Sequence, residues 1–280
     1  MQIQALLKQA VATLSATSDS AQADAEILLA HCLQKNRTWL KTWSDKSLTV
    51  AEIAAFQHML MQRQTGIPVA YLMGYRDFWN LRLQVSPATL IPRPETELLV
   101  ELALEKLAML SSQTVSVLDL GTGTGAIALA LAQERPDIQI LAVDASAAAL
   151  EIAKSNAQLN QIPNVRFMQS NWFSELPSQR FDLIVSNPPY IEQNDPHLTQ
   201  GDVRFEPMNA LTAGLDGLDD IRHIIQHAPT WLNPQGWLLL EHGYNQGQAV
   251  SELLLKCGLQ NVQCLPDWAG IERVNLGQCG

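Results

Sequence analysis

Apolar side chains recur at helical spacing through the first part of the chain and give way to continuous apolar runs further on. Ile3, Leu6, Leu7, Ala10, Val11 and Leu14 form one stripe, and Ala21, Ala25, Leu28, Leu29 and Cys32 form a second behind the candidate caps Ser18, Asp19 and Ser20. Thr49, with Glu52 three residues on, has the form of a capping box. It opens a third helix that carries Ile53, Phe56 and Leu60 and ends at Gly66 and Pro68. Over 74–85 the pattern changes to aromatic and β-favouring residues, Tyr75, Phe78, Trp79, Leu81, Leu83 and Val85, with Asn80 at the turn, which predicts a hairpin. Pro87, Pro92 and Pro94 then stiffen the chain ahead of an amphipathic helix that starts at Glu95 and carries Leu98, Leu99, Leu102 and Leu107.

From Thr114 onward, apolar runs at 115–120, 138–143, 165–168, 181–185 and 237–240 alternate with helical patterns. Two weaker strands follow, near Val262 and at 273–276. Continuous apolar runs mark strands buried on both faces, and intervening helices supply right-handed crossovers, so the expected class is α/β with a mostly parallel sheet. The predicted division is a small all-helical N-terminal domain over 1–73, a β-hairpin linker over 74–90 and an α/β domain over 91–280.

Asp119-Leu120-Gly121-Thr122-Gly123-Thr124-Gly125 falls where the first strand of that domain should yield to a helix near Ala126. Glycines here let the chain turn tightly and let a ligand approach main-chain N–H groups. Gly121, Gly123 and Ala126 also fit the dinucleotide pattern G-x-G-x-x-A, so the loop alone does not name its ligand. Asp144, at the end of the second strand, is placed to accept hydrogen bonds from ribose hydroxyls. Loop and acid together point to an adenosine-containing cofactor.

Asn187-Pro188-Pro189-Tyr190 follows the apolar run 181–185, at the carboxyl end of a central strand, where open α/β sheets bind ligands. At average composition the string arises by chance in roughly one chain per thousand of this length, so chance explains it poorly. An amide or exocyclic amine is a weak nucleophile because its lone pair is delocalised. The Asn187 oxygen and the Pro188 carbonyl can each accept one N–H of a planar NH2, turning the lone pair toward an electrophile. Pro188 and Pro189 keep the acceptors aimed, and Tyr190 can stack on the flat group. The matching electrophile is a methyl on a positively charged sulfur, as in S-adenosylmethionine, which leaves as S-adenosylhomocysteine without acid catalysis. No catalytic His or Cys is then required. A side-chain amide and an adenine amino group on DNA or RNA, flipped from its stack, both satisfy this chemistry.

Composition narrows the choice. The 280 residues are 47% hydrophobic, enough for a core, and carry a net charge of −10. That charge weighs against a long nucleic-acid track, and no basic, aromatic-rich region offsets it. Cys32, Cys257, Cys264 and Cys279 lack metal-ligand spacing, so free thiols and no metal are expected. Met1-Gln2-Ile3-Gln4 does not open a secretory signal and the apolar runs are too short to span a bilayer, so a cytoplasmic protein without membrane contact is expected.

The chain resembles the release-factor glutamine methyltransferase family, also called PrmC or HemK. The likeness runs through Pro87-Ala88-Thr89-Leu90-Ile91-Pro92-Arg93-Pro94-Glu95-Thr96-Glu97, through 118–130 and 185–190, through Gly201-Asp202-Val203-Arg204-Phe205-Glu206-Pro207 and through Glu241-His242-Gly243. It implies a Rossmann-like class I methyltransferase domain with a seven-stranded sheet behind a helical leader. It further implies methyl transfer from S-adenosylmethionine to the glutamine nitrogen in the Gly-Gly-Gln tripeptide of class I peptide-chain release factors, in support of translation termination. Carried onto this sequence, Gly121, Thr122, Gly123, Thr124 and Gly125 cradle the methionine end of the cofactor, Asp144 takes the ribose and Trp172 lies beside the adenine. Asn187 meets both cofactor and substrate, and Pro188, Pro189 and Tyr190 complete the glutamine clamp. The helical domain would dock the release factor, and no direct nucleic-acid contact is expected. An intact Asn187 and glycine loop speak against a non-catalytic scaffold. Where the family commonly has an acid before the tryptophan, this chain has Asn171, which removes a charge-assisted bond to adenine. Arg93, Glu97, Arg204 and Glu206 read equally well as ion pairs or loop anchors, and His242 as a structural hydrogen-bonding residue.

Overall fold

The computed structural model describes residues 1–110 and 115–280, so Thr114, where the alternation begins, lies outside the described residues. The chain divides into two compact units, Met1–Tyr75 with Pro196–Phe205, and Arg76–Asp195 with Glu206–Gly280.

The first unit is helical: α1 (Ile3–Leu14), α2 (Ala21–Leu33), α3 (Arg37–Thr42), α4 (Val50–Gln64) and α5 (Val69–Met73). The stripes read from sequence meet in one core of Ile3, Leu6, Ala10, Leu14, Ala25, Leu28, Leu29 and Phe56. The Thr49–Glu52 capping box opens α4. Helices α3 and α5 were not anticipated. Six and five residues long, each is too short to show a period, and α3 buries only Leu40 behind an Asn36 cap that accepts from Trp39 N at 2.8 Å. The expected caps of α2 also act differently. Ser18 and Ser20 turn their hydroxyls to the Asp24 carboxylate at 2.8 and 2.9 Å, and Ser20 makes no side-chain cap bond.

Asp24 is itself the partner of Arg63. The guanidinium donates to Asp24 Oδ2 at 2.7 Å, to Asp202 Oδ1 at 2.6 Å and to the Gly66 and Ile67 carbonyls at 3.2 and 3.1 Å. Arg204 donates to the Thr65 carbonyl at 2.9 Å. The stretch Pro196–Phe205 is thus tied to the end of α4 by charge-assisted bonds.

In the second unit, β1 (Tyr75–Phe78) and β2 (Leu81–Gln84) form the hairpin, with Trp79 at φ 53° in its turn. A 3-10 turn over Pro94–Thr96 leads into α6 (Glu97–Met109), two residues later than the pattern suggests. The sheet and its helices follow as β3 (Ser116–Leu120), α7 (Ala126–Glu134), β4 (Gln139–Asp144), α8 (Ala147–Leu159), β5 (Val165–Gln169), β6 (Phe181–Ser186), α9 (Asp219–Trp231), β7 (Leu232–Glu241), α10 (Gly247–Lys256), β8 (Gln260–Pro266) and β9 (Glu272–Gln278). Strand order is β5-β4-β3-β6-β7-β9-β8. Strands β3 to β7 run parallel, and β9 is antiparallel to both neighbours.

Alternate strand residues feed two cores. Val117, Ile140, Ala142, Leu183, Val185 and Leu239 pack with α6 and α7, while Leu118, Leu141, Val143, Ile184, Leu238 and Leu240 pack with α9 and α10. Each fully buried Leu or Ile contributes roughly 2 kcal/mol, which is why these strands read as unbroken apolar runs. The chain winds from β3 outward to β5 and returns to β6 on the other side of β3, so a topological switch point lies at the carboxyl ends of β3 and β6. The glycine loop and the tetrapeptide leave the sheet there. Among the described residues no helix is long and apolar enough to cross a membrane.

Candidate active site

Beyond Leu120 the chain turns through Gly121 and Gly123 at φ 71° and 56°, a left-handed backbone that side-chain-bearing residues rarely adopt. The Gly121 and Thr122 N–H groups both donate to the Val143 carbonyl at 2.9 Å, tying the loop to β4. The Gly123 N–H donates to Asp144 Oδ2 at 2.9 Å, and Ser146 N to Asp144 Oδ1 at 2.8 Å. A Cβ on Gly121 would stand 3.3 Å from the Trp172 ring, whereas one on Gly123 would meet nothing within 4 Å. The loop therefore backs against the indole at one glycine and opens onto free space at the next.

Trp172 is held by its indole N–H, which donates to Asp220 Oδ1 at 3.2 Å, and by the Ser170 hydroxyl on its carbonyl at 2.8 Å. Behind the loop, fully buried Asn156 donates to the Thr124 carbonyl at 2.9 Å and to the Gln84 carbonyl at 3.1 Å, pinning loop and hairpin together.

A cavity of about 290 Å³ lies in front of these groups. Gly121, Thr122, Gly123, Thr124, Asp144, Asn171, Trp172, Asn187 and Pro189 line it, with Arg93, Thr96 and Asp220. Gly125, Pro188 and Tyr190 do not. Gly125 is the N-cap residue of α7, and Pro188 is buried. Tyr190 packs its ring against the core beside α9 and α10, and its hydroxyl donates to Glu241 Oε1 at 3.3 Å. Its backbone is fixed by a bond from its N–H to Leu211 O and one from Gln246 Nε2 to its carbonyl. Gly217 is required beside it, because a Cβ there would fall 2.2 Å from that carbonyl.

Asn187 Nδ2 donates to Thr96 Oγ1 at 3.1 Å, and no described residue donates to its Oδ1 or to the Pro188 carbonyl. Two acceptors are left open at the carboxyl end of β6, one of them on the cavity wall. Arg93, at the same wall, pairs with buried Glu206 at 2.6 Å, and Glu206 also accepts from Ile91 N. Glu97 accepts from Trp79 N at 2.8 Å. His242 is buried with Nδ1 2.8 Å from the Gly243 carbonyl, and burial holds its pKa low, which suits a structural imidazole. Asn156 and Asp220 carry no motif in the sequence, and Thr96 and Glu241 fall inside the segments of family resemblance without a role being read for them there. Asp220 looks there like an ordinary helix-start acid.

Burial sets the electrostatics. It pushes the Asp144 and Asp220 carboxyls above the usual range. Fully buried Asp119, which accepts the Thr122 hydroxyl at 2.6 Å and has no partner for Oδ1, is pushed up to about 7 by burial, with nearby Asp144 adding to the rise. Folded protein then keeps the Asp119 proton to about pH 7, whereas an unfolded chain releases it near pH 4, so this group makes stability fall as pH rises between those values. Asp119→Asn keeps an acceptor for Thr122 and removes the charge. Its melting temperature relative to the parent is expected to be higher at pH 8 than at pH 5, and an equal difference at both would contradict this account. Among the described residues no cluster of His, Cys, Asp or Glu could hold a metal ion.

A family model described as Methyltransferase small domain matches residues 95–203, and one described as PrmC N-terminal domain matches residues 5–74. A release factor glutamine methyltransferase of Aliivibrio fischeri is 50% identical over 280 residues, covering 99% of this chain and 98% of the relative. One of Vibrio cholerae is 53% identical over 278 residues, covering 99% and 96%. A solved methyltransferase from Pyrococcus furiosus covers 80% of this chain and 98% of its own at a TM-score of 0.53 and 19% identity, a likeness of fold. With identity of this order along nearly its whole length, the chain belongs to the release factor glutamine methyltransferase family.

Proposed function

We propose that the protein transfers a methyl group from S-adenosylmethionine to the side-chain nitrogen of the glutamine in the Gly-Gly-Gln tripeptide of class I release factors. The observation that carries this reading is the Asn187 carboxamide, whose Oδ1 takes no hydrogen bond from any described residue, on the wall of a glycine-lined cavity, with the Pro188 carbonyl next to it in the chain also unengaged. Two acceptors match the two N–H bonds of a primary amide.

The residues present fit the cofactor. Gly123 borders open space, Asp144 offers a carboxylate beside it, and the Trp172 ring supplies a flat apolar wall for an adenine. When bound, the cofactor supplies a sulfonium methyl that transfers without acid catalysis. The chain's own part is to hold the amide so that its lone pair faces that methyl, a matter of orientation more than of proton transfer. The helical unit, matched by the PrmC N-terminal domain, is the surface proposed to dock the release factor, and the cytoplasm is the compartment where such a substrate is made.

Labelled S-adenosylmethionine is expected to mark a purified release factor but not one whose Gly-Gly-Gln glutamine is replaced by alanine. Equal labelling of the two would overturn the substrate, and labelling of DNA or RNA instead would replace it with an adenine amino group.

A further inference from the structure

Asp220 stands half-buried on the cavity wall, in the first turn of α9. Only one of its carboxyl oxygens is taken: Oδ1 accepts the Trp172 indole N–H at 3.2 Å, and no described residue donates to Oδ2. An indole N–H points outward in the plane of its ring, so this carboxyl sits at the rim of the indole and not over a face. The far side of the same ring, Cζ3 and Cη2, is what a Cβ on Gly121 would meet. Trp172 therefore runs from the glycine loop at one end to Asp220 at the other.

A cofactor whose methionine end follows the glycine loop and whose ribose reaches Asp144 has its base further along this wall. A base laid on the indole turns its rim toward the carboxyl. Adenine joined to a ribose has one donor group on that rim, the 6-amino group, while its ring nitrogens only accept. An ionised carboxylate also only accepts, so the amine is the one part of the base that suits it, and the bond is charge-assisted. Asn171 lines the cavity too, but its side chain is exposed and its carboxamide offers a donor as readily as an acceptor, so it selects an amine poorly. The acid missing at Asn171 is thereby supplied from α9.

We infer that Asp220 is a cofactor-binding residue that accepts the adenine amino group on Oδ2 while it holds the Trp172 indole on Oδ1, and so makes the site prefer adenine to a purine without that amine. The inference rests on the S-adenosylmethionine reading of the cavity.

Calorimetric titration tests it with two ligands, S-adenosylhomocysteine and its analogue carrying hydrogen in place of the 6-amino group, at pH 8, well above the usual carboxyl range. The parent is expected to bind the amino ligand about tenfold more tightly, the worth of one hydrogen bond to a charged group. Asp220→Ala, which also loses the Trp172 brace, is expected to bind both less tightly and with no preference between them. Asp220→Asn keeps the shape and an oxygen for the indole N–H but turns an NH2 toward the amine, so it should lose the preference as well. It carries the test should Asp220→Ala fail to melt cooperatively. Asn171→Ala should keep the preference. An Asp220 that only braces Trp172 would, when replaced, weaken both ligands by one factor and leave the tenfold preference intact, and that result overturns the inference. So does a preference that vanishes in Asn171→Ala. A parent that binds neither ligand removes the cofactor reading itself, whereas a parent that binds both equally removes only the contact from Asp220.

Discussion

Asn187→Ala is expected to lower turnover by about 10²- to 10³-fold, the range seen when one preorganised polar contact to a reacting group is removed. The Asn187 side chain lies on the cavity wall, and the other unengaged acceptor, the Pro188 carbonyl, belongs to the backbone and survives the change. With one acceptor left, the target amide rotates, and its lone pair spends little time in line with the methyl. Cofactor affinity should change far less, because the glycine loop, Asp144 and Trp172 are braced by Val143, Ser146 and Asp220 and not by Asn187. Stability should also hold, since Asn187 is only half-buried and its side chain makes a single hydrogen bond, to Thr96. Single-turnover methylation and calorimetry on the same preparation separate the two effects. Turnover close to the parent's would remove the amide clamp, and a matching loss of cofactor affinity would make Asn187 a cofactor ligand first.

What could be read from sequence follows from how local each signal is. The buried parallel strands declare themselves because both faces are covered, so β3, β4 and β6 carry apolar residues at most of their positions. Asn187-Pro188-Pro189-Tyr190 is visible because the chemistry sits in four consecutive residues. The hydrogen-bond partners of Thr96, Asp220 and Glu241 are not, because each lies across 91, 48 and 51 residues of chain, a juxtaposition that only the pairing of strands and helices creates. Tyr190 shows the limit in the other direction. Its residue type suggested a ring stacked on the substrate, yet the register of β6 beside β7 carries its hydroxyl to Glu241 and its ring into the core. Ser18 and Ser20 were legible as polar punctuation before α2, but not as ligands of Asp24, because that carboxylate is drawn inward by an arginine 39 residues away.

That arginine carries the largest expected effect on stability. Arg63 and Asp24 have side chains only 7% and 8% exposed, so both charges have left water and depend on each other. Replacing Arg63 by Met keeps the length of the stem and deletes the guanidinium. Asp24 would keep the Ser18 and Ser20 hydroxyls and lose its counter-charge, and the Gly66 and Ile67 carbonyls would lose their donor. Removing one partner of such a pair costs about 3 to 5 kcal/mol, whereas replacing both by apolar residues is often close to neutral. Arg63→Met should therefore unfold the helical unit at lower denaturant and speed amide exchange in α2 and α4, while Arg63→Met with Asp24→Leu should recover much of the loss. Cofactor affinity is the control, since no residue of the cavity belongs to this unit. A double variant no more stable than the single one would mean that Arg63 acts mainly through the Gly66, Ile67 and Asp202 contacts that close the end of α4 and hold Pro196–Phe205, and that the buried pair with Asp24 is incidental.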